Sequence, residues 1–283
     1  MGREGSEPRA LVPSAERLRY PWPHGGPTLD YEYVEVRDEG EFAVVSMHRP
    51  ERRNALSEAH LRELLHAFRA IGAGKARGAI LAAEGPVFSA GHDFADMQGR
   101  DLAFMRRLLA VCADLMQTLH AIPQPVAAQV EGLATAAGCQ LVATCDLAVA
   151  GESARFAVPG GRGGWFCTTP GVALARAVPR KHALEMLLTG DPIDARTALA
   201  YGLVNRVVPD AEVAGETRAL LGRATRGSAL SKGIGKQAFY RQIDLDLPAA
   251  YAYASEVMAA ASQTEDAREN LRAFLEKRKP RFS

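Results

Sequence analysis

The chain has 283 residues, 47% of them hydrophobic and 24% charged, with a formal net charge of +1. These values suit a globular protein with a sizeable core, and so small a charge sets up no field that would draw nucleic acid or an anionic membrane as partner. No apolar run approaches the roughly 18 residues that a membrane-crossing helix needs, and Cys112, Cys139, Cys145 and Cys167 lack CxxC spacing, so they read as reduced core thiols and no metal site is expected.

Residues 1–30 carry five prolines and no apolar segment of signal-peptide type, and are expected to form a disordered or surface-wrapping arm. Glu4, Glu7 and Glu16 argue against an Arg-rich, acid-poor mitochondrial presequence, so the expectation is a cytoplasmic protein. From Tyr31 the pattern becomes regular. Residues 41–47 predict a strand, Ser57 caps a helix through Leu61, Leu64, Leu65, Phe68 and Ile71, and residues 78–83 predict a second strand. A turn at Phe88-Ser-Ala-Gly-His-Asp93 precedes a long amphipathic helix over 102–120. Residues 125–130 form a third strand, followed by Gly132, a short helix over 136–143 and a fourth strand over 146–150. Such alternation belongs to the α/β class. From Pro170 onward the chain predicts helix almost throughout, ending in a charged helix over 265–277. The expected organisation is an α/β core over 31–208 and a helical region over 209–283.

Two segments share one design of strand, small-residue turn and helix start: Phe88-Ser-Ala-Gly-His-Asp93 and Gly132-Leu-Ala-Thr-Ala-Ala-Gly-Cys-Gln140. Helix starts leave N–H groups without intrahelical partners, so two such turns facing each other would aim two donors at one oxygen, as an enolate-forming thioester reaction requires. Two tight turns in a compact core are the alternative.

Arg53-Asn-Ala-Leu56, Phe88-Ser-Ala-Gly91 with Asp93, Glu131-Gly132 with Ala137-Gly-Cys139, Cys145-Asp146 and Phe274-Leu-Glu-Lys-Arg278 follow one another in this order. In order and spacing they resemble the crotonase superfamily of enoyl-CoA hydratases and isomerases. The resemblance covers about Tyr31 to the C-terminus and is greatest to the enoyl-CoA hydratase domain-containing branch. It implies an α/β spiral of ββα units with a C-terminal helical trimerisation region, assembled as a homotrimer or a dimer of trimers. It implies an acyl-CoA substrate, with coenzyme A brought by the substrate and no separate cofactor, and backbone donors at His92 and Ala137. It places the coenzyme A moiety near Arg53, Ala55, Ser89, Ala90, Gly91, His92 and Asp93. Lys277 is either a phosphate partner or a solvated helix end.

The two glutamates that hydratases of the family use fall on Gln140 and, after Pro159, on Gly160. Neither side chain titrates, so two-glutamate hydration is not expected. A lyase of the enoyl-CoA hydratase type, a catalytically silent acyl-CoA binder and a thioester hydrolase using Cys167 or a water held by His92 all stay open. Asp93 and Asp146 suit a helix cap and a strand start, and Glu131 a turn. The imidazole of His92 either titrates beside the reacting carbonyl or faces solvent. Cys167 is either activated by the helix that follows it or buried and inert. Met97, Trp165 and Phe166 are expected to line an acyl pocket, with core packing as the alternative.

Overall fold

The computed structural model describes residues 31–282; the expected N-terminal arm over 1–30 lies outside them. Six strands form the main sheet in the order β1-β2-β3-β4-β6-β9: β1 (Val34–Glu39), β2 (Phe42–Met47), β3 (Gly78–Ala83), β4 (Val126–Val130), β6 (Leu147–Gly151) and β9 (Arg206–Val208). Only β1 and β2 pair antiparallel; the remaining neighbours are parallel. A smaller sheet joins β5 (Leu133–Thr135), β7 (Arg155–Ala157) and β8 (Ile193–Asp194).

The helices are α1 (Glu58–Ala73), α2 (Phe94–Met97), α3 (Leu102–Ala121), α4 (Ala137–Thr144), α5 (Thr168–Ala177), α6 (Arg180–Thr189), α7 (Ala195–Tyr201), α8 (Val213–Ala224), α9 (Ala229–Gln242), α10 (Leu247–Ala261) and α11 (Glu265–Leu275). The expected ββα plan is visible in β1-β2-α1, β4-β5-α4 and β6-β7-α5, the last two units each giving one strand to either sheet.

Strand β3 is apolar along its length and buried at its first five positions, as suits a central parallel strand covered on both faces. Helix α1 starts where Ser57 Oγ accepts from His60 N at 3.2 Å, and it buries Leu61, Leu64, Leu65, Phe68 and Ile71. Asp101 caps α3 in the same way, accepting from Phe104 N at 2.8 Å. These helices pack on each other and on one face of the main sheet, closing a core around Phe68, Leu81, Leu108 and Leu115.

The sequence expectation of nearly continuous helix beyond Pro170 needs correction, because β8 and β9 lie in that stretch. Both are two or three residues long, too short to show the period-2 alternation that reveals a strand. For the same reason β5 and β7 escaped sequence reading. The pair Asp146 and Lys236 ties α9 to the sheet. Asp146 Oδ2 lies 2.7 Å from Lys236 Nζ and accepts from Val126 N at 2.6 Å, while Oδ1 accepts from Tyr240 OH at 2.8 Å.

Candidate active site

Both small-residue loops leave the carboxyl ends of parallel strands, the first after β3 and the second after β4, where ligand sites of parallel sheets gather. They pair with each other. Ser89 N donates to Leu133 O at 3.1 Å and Thr135 N to Ser89 O at 2.9 Å. A further bridge joins Val87 and Gly132.

Glycines permit this closeness. A Cβ on Gly91, whose φ is +83°, would lie 2.8 Å from Ala136 Cβ and 3.2 Å from Ala137 N. Ala136 itself has φ 50° and ψ −117°, a conformation that costs a residue with a Cβ of order 1–3 kcal/mol. Its N–H is held by Ala157 O at 2.9 Å. Ala137 then opens α4, so its N–H has no intrahelical acceptor. On the other loop, Leu56 N donates to Gly91 O and Asp93 N to Leu56 O, which passes over the N–H of His92. Among the described residues neither His92 N nor Ala137 N has an acceptor.

Both residues line a cavity of about 520 Å³ with Ala90, Gly160, Trp165, Phe166 and Cys167. Its wall is mostly apolar. Among its lining residues there is no carboxylate, and the titratable side chains are His92, Arg162 and Cys167. Arg162 is half exposed and turned to Asp191, 2.9 Å away. Burial pushes the Cys167 thiol up from its ordinary range, although its Sγ accepts from Gly160 N at 3.3 Å. Activation of Cys167 by the following helix is therefore not what the site provides. Burial, which favours the neutral ring, likewise holds the His92 imidazole below its ordinary range, against the smaller opposing effect of the Leu56 carbonyl.

The two replaced positions differ in kind. Gln140 is buried on the inner side of α4 with Oε1 4.0 Å from Cys112 Sγ, and it does not line the cavity. Gly160 does line it, but a Cβ there would meet Trp165 O at 2.2 Å and Cys167 Sγ at 2.7 Å. The glycine-rich segment folds back on itself, and its backbone fills the space where a side chain at 160 would begin.

Asp93 caps α2 through Ala95 N at 3.0 Å and pairs with Arg49 Nη1 at 2.9 Å, so it supports the loop. Glu131 lies on the surface beside Gln129. Of the expected acyl pocket, Trp165 and Phe166 line the cavity, whereas Met97 packs against the core. Ser89 is buried, with Oγ donating to Asn54 O at 2.8 Å, and Ala90 N donates to Arg53 O at 3.0 Å. Ala55 is buried and its carbonyl faces His60 Nδ1 at 3.1 Å. Lys277 follows the last helix with φ 56°, exposed and outside the cavity.

One organising residue escaped sequence reading. Buried Asn54, with φ 50°, donates to Glu84 O and Val87 O at 2.8 Å each and accepts from Arg49 N at 2.9 Å. Its signal was present in the Arg53-Asn-Ala-Leu56 motif, where asparagine is the residue type suited to a left-handed turn.

The family model described as enoyl-CoA hydratase/isomerase matches residues 37–283. This chain belongs to the enoyl-CoA hydratase/isomerase family. Its relatives include the mouse protein named enoyl-CoA hydratase domain-containing protein 3, mitochondrial, 46% identical over 83% of this chain and 79% of that one. A protein named putative enoyl-CoA hydratase from Thermus thermophilus is 35% identical over 87% of this chain and 98% of its own length. Among solved structures, an enoyl-CoA hydratase of Mycobacterium smegmatis superposes with a TM-score of 0.85 at 44% identity, covering 89% of this chain and 99% of that one. Human enoyl coenzyme A hydratase domain-containing protein 3 gives 0.85 at 42%, covering 88% and 100%. Membership of this family carries the α/β fold with it. The cytoplasmic expectation is corrected by the same comparisons, since five vertebrate relatives of this family member are named mitochondrial. Glu4, Glu7 and Glu16 were too weak a signal to argue against a mitochondrial location.

Proposed function

We propose that this family member binds an acyl-CoA and polarises its thioester carbonyl between the N–H groups of His92 and Ala137, so that an enolate is accessible at the acyl Cα. The observation that carries the reading is the pair of unpartnered N–H groups on two interlocked loops at one apolar cavity. Donors fixed in place where charge develops lower the barrier without reorganising, and losing one costs roughly 10²–10³ in rate. Coenzyme A then lies along the first loop, from Arg53 and Ala55 through Ser89 to Asp93, and the acyl chain runs toward Trp165 and Phe166.

Addition of water by two glutamates has no support. Gln140 is not among the residues that line the cavity, and Gly160 leaves no room for a side chain. The expected result with crotonyl-CoA is binding without appreciable hydration. Calorimetric titration with butyryl-CoA tests the reading: the protein binds, and Gly91→Ala, which forces Ala136 and Ala137 apart, binds more weakly. Unaltered affinity in Gly91→Ala, or no binding by the parent protein, contradicts it.

A silent acyl-CoA binder is the second reading, favoured by the absence of any carboxylate among the cavity's lining residues. A thiol-based hydrolase loses its motive because the Cys167 thiol is raised by burial. We also propose self-association as a trimer or dimer of trimers through the C-terminal helices. Helix α10 is apolar yet contributes no buried residue, and Phe274 and Leu275 of α11 are exposed.

A further inference from the structure

The imidazole of His92 lies at this cavity with no hydrogen bond of good geometry, the Leu56 carbonyl being the one backbone group that acts on it. Neither Nδ1 nor Nε2 has a well-formed hydrogen bond among the described residues, although both atoms are shielded from solvent; the Leu56 carbonyl makes only a weak contact with the ring. Poorly satisfied polar atoms in a well-packed site call for an explanation. The ring stands 6.4 Å from that of Trp165, on the same cavity as the two backbone donors.

From this placement we infer that the His92 side chain is a catalytic residue, the proton carrier for the acyl Cα. The inference rests on the reading of the two N–H groups as a carbonyl clamp. In the step, one ring nitrogen accepts the Cα proton. The C–H electron pair becomes the C=C bond, and the carbonyl π pair moves onto oxygen, held by the N–H groups of residues 92 and 137. The reverse step returns a proton from the same nitrogen to Cα. No oxidant, metal or second substrate enters the balance. Backbone and side chain of one residue thus act on two atoms bonded to the same carbonyl carbon, its oxygen and its Cα.

No other group at the cavity fits the task. Helix α2 contributes Phe94, α3 Leu109, and α4 with the residue before it Ala136 and Ala137. Arg162, on the glycine-rich segment, is paired with Asp191; Cys167 is a buried thiol; and Asp93, beside His92 in sequence, turns to Arg49. No charged side chain holds the imidazole in its protonated form, and burial, which favours the neutral ring that can accept a proton, outweighs the opposing Leu56 carbonyl.

The test is solvent exchange at Cα of butyryl-CoA, followed by proton NMR in D₂O with the full-length protein. The parent protein is expected to exchange the Cα protons, with a rate that rises with pH and levels off through an apparent pKa below 6.5, the ordinary imidazole value. His92→Gln and His92→Asn keep the backbone N–H, so they bind butyryl-CoA within a few-fold of the parent and exchange roughly 10²–10⁴-fold more slowly. Parental exchange in both variants overturns the inference, as does binding by the parent protein without exchange, which leaves the silent-binder reading standing. Absence of binding by the parent protein overturns the carbonyl clamp beneath it. If both variants fail to fold, the parent's pH profile decides: a plateau through a pKa below 6.5 supports His92, and a flat profile overturns it.

Discussion

Asn54 shows how much a single side chain can organise. Its amide holds two carbonyls and one N–H of the segments that carry the first loop. Asn54→Ala leaves these buried groups unpaired and keeps a positive φ at a residue less suited to it. It is expected to destabilise the protein by about 3 kcal/mol, read from urea denaturation. His60, fully buried behind Ala55, makes a second residue-level prediction. Burial lowers its imidazole pKa to about 4, from the ordinary 6.5. Unfolding at pH between those values takes up a proton, so the stability present above pH 6.5 is lost as pH falls toward 4. The difference amounts to about 3 kcal/mol. Denaturation midpoints at pH 7 and pH 4.5 check this, and His60→Gln is expected to flatten the dependence. Gly160→Glu belongs at this scale too. The new side chain collides with Trp165 O, so the variant is expected to lose stability and to gain no hydration of crotonyl-CoA. Hydration by that variant contradicts the steric account.

At the scale of elements, the interlocked loops depend on two backbone approaches, Gly91 over Ala136 and Gly138 over Ser89. Gly91→Ala is expected to slow Cα exchange roughly 10²-fold, the loss of one carbonyl donor, while the main sheet stays intact by circular dichroism. The elements that carry this geometry were legible in the sequence for physical reasons. Strand β3 is a continuous apolar run, α1 and α3 have side-chain caps, and Phe88-Ser-Ala-Gly91 announces its turn through residue size. Less of the site was legible. Whether Gln140 faces in or out depends on how α4 packs on Cys112, and whether Gly160 has space depends on the return of the chain at Trp165. Both are tertiary facts that periodicity does not carry. Strands β5, β7, β8 and β9 escaped because each has only two or three residues.

For the whole molecule, the Asp146–Lys236 pair is the joint between the α/β core and the C-terminal helices. Both side chains are largely buried and every polar contact of the lysine is met, with Leu119 O and Gln124 O completing its shell. Lys236→Met leaves a buried carboxylate without its cation and is expected to cost about 3–5 kcal/mol, measured by denaturation. Helix α10 bears Leu247, Tyr251 and Met258 exposed on one chain. Sedimentation velocity is expected to show a trimer or hexamer, and Met258→Glu to shift it toward smaller species; a monomeric parent protein contradicts the proposed assembly.

Binding butyryl-CoA carrying ¹³C at its carbonyl tests the central claim most directly, because the chemical shift of that carbon reports polarisation of the bond itself. The account predicts a downfield shift on binding, reduced in Gly91→Ala. A bound ligand whose carbonyl resonates as it does in water would mean that the amides of residues 92 and 137 do not grip the thioester oxygen.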